Sequence, residues 1–122
     1  MSQAARWRGY SSDEISSLSD WDIYEGDVRE QRCPHCRNKS LRLYMYRARR
    51  TGDLATQIWC QICHSYSGWT GPYPSDLHIE DPLAGLSVEE FQEAVGKGED
   101  NFFGRLDALW EKGLLPQRVT KM

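Results

Sequence analysis

Cys33-Pro34-His35-Cys36 and, 23 residues further on, Cys60-Gln61-Ile62-Cys63 are the stretch that decides the fold. They hold all four cysteines of the 122-residue chain, in two C-x-x-C pairs. Two residues between cysteines let both thiolates of one tight turn face a single ion. Two such turns supply the four sulfurs of a tetrahedral Zn²⁺ shell. Such a shell has no open position for water or substrate, so the expected zinc, one per chain, is structural. Disulfides are the rival reading, but they belong to an oxidising compartment. Residues 1–15 carry arginines and no apolar core of a secretory leader. A redox C-x-x-C accounts for one pair and leaves the other idle. An iron–sulfur site is the remaining use of four thiolates. His35 and His64 lie in and beside the turns, yet four sulfurs already complete the shell.

Between the pairs, Leu41, Leu43 and Met45 alternate with Arg42, Tyr44 and Tyr46. That is a period-two strand with one apolar side. Arg49-Arg50-Thr51-Gly52-Asp53 reads as a turn, with Gly52 at positive φ. Ala55 to Cys60 returns as a second strand, and Ser65 to Thr70 makes a third that Gly71-Pro72-Tyr73-Pro74 ends. Many metal knuckles have Gly after the second Cys. Here Arg37-Asn38 follows, and Asn38 is the residue expected to take the left-handed conformation.

Two C-x-x-C knuckles bracketing a hairpin, with a third strand, resemble a zinc ribbon over residues 31–72. The resemblance implies the fold and the metal, with Cys33, Cys36, Cys60 and Cys63 as ligands. It does not select a function, because ribbons serve many. Ile58-Trp59-Cys60-Gln61-Ile62-Cys63-His64-Ser65-Tyr66 also resembles small bacterial zinc-ribbon proteins that act as immunity partners of secreted toxins.

The rest of the chain is arranged around this centre. Residues 1–30 form an acidic segment with Trp7 and Tyr10 near its start. Ile15, Leu18 and Trp21 recur at i, i+3 as on a short helix, for which Ser11 or Ser12 is the cap and Asp13 and Glu14 suit the N-terminus. Residues 73–86 are a proline-rich loop. Residues 87–122 are expected to form an αα-hairpin and tail. Ser87 and Glu90 make a capping box, and Leu86 and Phe91 a hydrophobic staple. Val88, Phe91 and Val95 form the first stripe, and Gly96-Lys97-Gly98 is the turn. Asp100 or Asn101 caps a second helix whose stripe is Phe102, Leu106, Leu109 and Trp110, ending at Gly113 and Pro116. The expected architecture is one small α+β domain: a three-stranded antiparallel ribbon, a C-terminal αα-hairpin and a short N-terminal helix.

Composition excludes two classes. With 15 basic and 18 acidic residues the chain is not a uniformly basic nucleic-acid coat. No apolar run nears the roughly 20 residues needed to cross a membrane. A cytoplasmic protein is expected. Charge is nevertheless segregated. Residues 29–50 hold eight bases against Glu30 alone, and residues 11–28 hold six acids and no base. Ten more acids lie between Asp76 and Glu111, against five bases from Lys97 to Lys121. Either the acidic flanks fold back on the basic ribbon, or each patch faces its own partner.

No Gly-rich phosphate loop or nucleophile elbow is present, and the acidic pairs read as solvated charge. No catalytic residue is expected. The leading expectation is a non-enzymatic protein-binding module, such as an inhibitor, an immunity protein against a basic toxin, or an assembly subunit. Its candidate contact residues are Tyr44, Tyr46, Trp59, Trp69, Arg47, Arg49 and Arg50, with Trp21, Tyr66 and Trp110 as further aromatic anchors. The alternative is nucleic-acid binding by the ribbon, where Arg42, Arg47, Arg49 and Arg50 interleave with Tyr44 and Tyr46.

Overall fold

The computed structural model describes residues 7–18, 27–87, 89–91, 93, 99–117 and 119–121. Strand β1 is Arg8–Gly9, β2 is Leu41–Arg47, β3 is Leu54–Cys60 and β4 is Ser65–Gly71. They form a four-stranded mixed sheet in the order β1-β4-β3-β2. β2 runs antiparallel to β3 with Leu43 opposite Ile58, and β3 runs antiparallel to β4 with Ile58 opposite Ser67. The two-residue β1 adds in parallel to β4, Arg8 opposite Ser65. A second, two-stranded sheet pairs β5, Leu77–Ile79, with β6, Val119–Lys121. The sequence pattern did not foretell that pairing, because the segment 119–121 was read as tail. Helix α1 is Ser12–Ser16 and α2 is Glu99–Glu111, with a 3₁₀ turn at Val28–Glu30. The chain is thus a small α+β structure.

α1 starts at Ser11. The Glu14 amide donates to Ser11 Oγ at 3.2 Å, and the Ser11 amide donates to Glu14 Oε1 at 2.8 Å, a complete capping box. The helix stops at Ser16, short of the expected Trp21. Residues 19–26 lie outside the described set. The first arm of the expected αα-hairpin falls largely outside it too, with Val88, Val95 and Gly96-Lys97-Gly98 not described. Its start is present: the Glu90 amide donates to Ser87 Oγ at 3.1 Å and Phe91 N–H to Ser87 O at 2.9 Å. α2 buries Phe102, Phe103 and Leu106, so Phe103 joins the expected stripe. It ends at Glu111, and in the turn beyond it Gly113 stands at φ +78°, a conformation that costs least without a Cβ.

The sheet is covered on both faces. One face carries Leu41, Leu43, Met45, Leu54 and Ile58 with Cys33, Cys60, Val28 and Leu77. The other carries Tyr44 and Trp59, packed with Leu83, Phe102, Phe103, Leu106 and Leu115. The expectation of an exposed Arg42-Tyr44-Tyr46 face is corrected here. Tyr44 and Trp59 are both 0% exposed. α2 has an apolar stripe that must be buried, and the aromatic side of the hairpin is the surface that takes it.

A polar clamp fixes α2 on this face. Arg42 Nη1 donates to Asp107 Oδ1 at 2.7 Å and Nη2 to Glu111 Oε1 at 2.9 Å. The Trp59 indole N–H donates to the same Asp107 oxygen at 2.9 Å. The Arg42 guanidinium also lies over the Trp110 ring. Two acids of the C-terminal third, Asp107 and Glu111, therefore fold back on Arg42 of the basic stretch. At the outer edge of β2, the Met45 amide donates to Gln117 Oε1 at 2.9 Å, and Gln117 Nε2 donates to the Met45 carbonyl. One side-chain amide there takes the place of a neighbouring strand.

Candidate metal centre

The four cysteine Sγ atoms lie within 4.8 Å of one another. Cys33 and Cys63 sulfurs are 3.6 Å apart, as are those of Cys36 and Cys60. A disulfide needs about 2.05 Å, and all four thiols are free. A tetrahedral thiolate shell with metal–sulfur bonds of about 2.3 Å has edges of about 3.8 Å. The donor set therefore fits one tetrahedral, thiophilic ion.

Each pair is positioned the same way. In the first turn the Arg37 amide donates to Cys33 O at 2.9 Å; in the second, the His64 amide donates to Cys60 O at 3.1 Å. The amides of His35 and Cys36 point at Cys33 Sγ at 3.4 and 3.5 Å. Those of Ile62 and Cys63 point at Cys60 Sγ, both at 3.4 Å. The residue after each second cysteine is left-handed, Arg37 at φ 67° and His64 at φ 57°. Asn38 was expected in that role. The turn closes on the residue directly after the cysteine, so the requirement falls one position earlier, on a side chain that tolerates it less well.

A second layer meets the sulfurs one for one. The Tyr10 hydroxyl lies 2.9 Å from Cys33 Sγ, and Ser40 Oγ 2.9 Å from Cys60 Sγ. Ser65 Oγ lies 3.2 Å from Cys63 Sγ, and Asn38 Nδ2 donates to Cys36 Sγ at 3.4 Å. Neutral donors of this kind disperse thiolate charge and hold the ligands in orientation. Arg8 extends the layer, donating from Nη1 to Ser65 Oγ at 2.9 Å and from Nη2 to Glu14 Oε1 at 2.9 Å. Glu14 Oε2 also lies 3.1 Å from His35 Nδ1. His64 stacks on Trp7 with ring centroids 4.7 Å apart. Both histidines thus have partners outside the sulfur cluster.

Electrostatics separates two of the thiols. Burial pushes the Cys60 thiol up, against opposing amides of Cys63 and Ile62 and the Ser40 hydroxyl. Burial also opposes ionisation of Cys36, but hydrogen bonds from Asn38, Cys60 and Ser40 outweigh it and draw that thiol down. A cation among the sulfurs would favour the ionised form of both.

The residues expected to contact a partner are dispersed. Tyr44 and Trp59 are core. Tyr46 is half-buried, its ring 5.2 Å from those of Tyr44 and Phe91. Arg47 lies over the Tyr73 ring at 4.7 Å and Arg49 over Phe91 at 5.3 Å, while Arg50 is exposed. Trp69 is 43% exposed. Ile62 and Leu114, which the sequence did not single out, are 53% and 51% exposed. No helix among the described residues is long and apolar enough to cross a membrane. Comparison with protein-family models, curated proteins and solved structures found no match.

Proposed function

We infer that this chain is a zinc-ribbon protein whose ion is structural and that it works by binding another protein rather than by catalysis. The observation that carries this reading is the closed sulfur set. Four thiols meet at one point, each already has a polar side-chain neighbour, and a tetrahedral ion among them has no position left for a substrate. Zinc is the ion that four thiolates in this geometry serve best as a scaffold.

The protein-binding half rests on what the scaffold displays. Tyr44, Trp59, Phe102 and Phe103 are core, while Ile62, Trp69 and Leu114 stay about half exposed. Exposed large apolar side chains are the anchors a protein partner would use. An inhibitor, an immunity protein and an assembly subunit all use a surface of this kind. The nucleic-acid reading is weakened by the arginines themselves. Arg42 is held by Asp107 and Glu111, and Arg47 and Arg49 lie against the chain's own aromatic rings.

Elemental analysis tests the first half, with one zinc per chain expected and iron or no metal overturning it. Affinity capture from the native extract tests the second. A stoichiometric protein should be retained by the wild type and lost by Ile62→Asp or Arg50→Glu. Retention of nucleic acid alone, falling with salt, would favour the other reading.

A further inference from the structure

The four sulfurs fall into two touching pairs, and each pair takes one member from either turn. Cys33 Sγ meets Cys63 Sγ, and Cys36 Sγ meets Cys60 Sγ, both at 3.6 Å. The N-terminal segment treats the pairs unequally, because it crosses only the first. The Tyr10 hydroxyl lies 2.9 Å from Cys33 Sγ. Arg8 Nη1 donates to Ser65 Oγ, which lies 3.2 Å from Cys63 Sγ. Trp7 stacks on His64, the residue after Cys63. Cys33 and Ser65 are both 0% exposed beneath this segment.

The second pair has no such cover. Among the described residues, the side chains within hydrogen-bonding distance of Cys36 Sγ are those of Asn38, Ser40 and Cys60. Cys36 is partly exposed, and His35, Arg37 and Asn38 around it are exposed. Cys60 is 0% exposed. One sulfur of this pair thus faces solvent, and its mate lies buried in contact with it. Arg37 follows Cys36 directly, and Arg32 Nη1 donates to the Arg37 carbonyl at 3.0 Å. A partly exposed cysteine in electropositive surroundings is where oxidants react first.

We propose that Cys36 is an oxidation site and Cys60 its resolving cysteine, so that a hydroperoxide converts this pair to a disulfide and frees the ion. The Cys36 sulfur attacks one peroxide oxygen and the O–O bond breaks. Cys36 becomes a sulfenic acid, and the other oxygen leaves as water. The Cys60 sulfur then attacks the Cys36 sulfur, the S–O bond breaks, and the hydroxyl leaves as a second water. Counted from the thiols, the pair gives up two electrons and two protons, and one hydrogen peroxide is reduced to two waters. Two of the four ligand thiolates are consumed. Cys33 and Cys63, which remain, do not make a closed shell. The new bond joins the two ends of the β2–β3 hairpin, since Cys36 precedes β2 and Cys60 ends β3. It takes over the closure that the ion provided. The inference rests on the zinc reading of this same site and leaves Ile62, Trp69 and Leu114 to the protein partner.

The test starts from the full chain with its zinc content measured. Hydrogen peroxide is added in steps, a chromogenic chelator reads free zinc, and non-reducing peptide mapping with fragmentation locates the bond. The first cross-link should join Cys36 to Cys60, with one zinc freed for each bond formed. Dithiothreitol and added zinc should restore the loaded chain. Arg8→Ala combined with Tyr10→Phe loosens the cover of the other pair, and Cys33–Cys63 bonds should then appear beside Cys36–Cys60 at the same dose. A first bond between Cys33 and Cys63, or inside one turn, overturns the proposal. So does zinc that stays bound through a large excess of peroxide, or a Cys36 that passes to the sulfinic acid with no bond formed. A folded double variant with an unchanged map overturns the protection assigned to the N-terminal segment; should it not fold, the wild-type map decides. A chain that carries no zinc at the outset fails the metal reading, and the map alone then decides the oxidation site.

Discussion

The hydroxyl of Tyr10 stands 2.9 Å from the sulfur of Cys33, joining the N-terminal segment to the four-cysteine cluster. Burial, with the neighbouring sulfurs, pushes this phenol well above its ordinary pKa. It therefore stays protonated, and with an ion held among the sulfurs it would donate to Cys33 Sγ. A hydrogen bond to a charged group contributes about 1.5–3 kcal/mol. Tyr10→Phe should keep the fold, by circular dichroism, and release its ion to a chromogenic chelator roughly tenfold faster or more. An unchanged release rate would mean that the hydroxyl only fills space.

Cys33→Ser and Cys60→Ser each remove one of the four sulfurs. Structural zinc sites supply much of the folding energy of small domains. Both variants should lose the ion and the near-ultraviolet signal of buried Trp59. Excess chelator should do the same to the wild type. A chain that stays folded without metal would remove the structural role assigned to the ion.

Glu14 carries the clearest pH dependence. The Arg8 guanidinium, and then the Ser11 amide, lower its pKa from 4.5 to about 2. A carboxylate with a lowered folded pKa stabilises the fold above its unfolded value and loses that contribution as pH falls through the folded one. The Arg8–Glu14–Ser11 contact should therefore hold above about pH 4.5 and fail between there and about pH 2. A carboxyl-shift titration should give a midpoint near 2 in the wild type, moved up toward the ordinary glutamate range in Arg8→Ala.

Asp107 accepts from both Arg42 and Trp59. Asp107→Ala leaves the Arg42 side chain, only 12% exposed, without its nearer partner and the indole N–H without any. Breaking a largely buried pair from one side costs about 3 kcal/mol. The urea midpoint should fall accordingly with an unchanged slope. Arg42→Met, which removes the charge as well as the bond, should cost less.

Gln117→Ala leaves both polar groups of Met45 without the side-chain amide that satisfies them. Losing such partners in a buried place costs about 1–3 kcal/mol. Gln117→Glu keeps the acceptor but loses the donor, and should be destabilising as well. Thermal melts of the pair should both fall below the wild type.

The clustering of the four cysteines was legible because cysteine spacing is a local constraint. The α1 cap and the Gly113 turn beyond α2 are local too, and they read correctly. Most of what the sequence did not yield depends on distant partners. The side of β2 carrying Tyr44 looked like a surface, because alternation shows two faces and does not say whether α2 covers the second. β1 has no pattern at all, since two residues, Arg8 and Gly9, are placed by backbone pairing with β4. The polar neighbours of the sulfurs come from positions 10, 38, 40 and 65, where tyrosine, asparagine and serine are ordinary residues in any loop or strand. The left-handed turn residue was misplaced by one, because Asn38 has the better propensity while Arg37 has the position that closes the turn.

The polar neighbours of the four sulfurs come from three stretches far apart in the chain: Tyr10 before α1, Asn38 and Ser40 between the first turn and β2, and Ser65 at the start of β4. An ion held there is a rivet through several plies at once. Pulling it should not loosen one corner ahead of the rest, so demetallation and melting should merge into a single calorimetric peak.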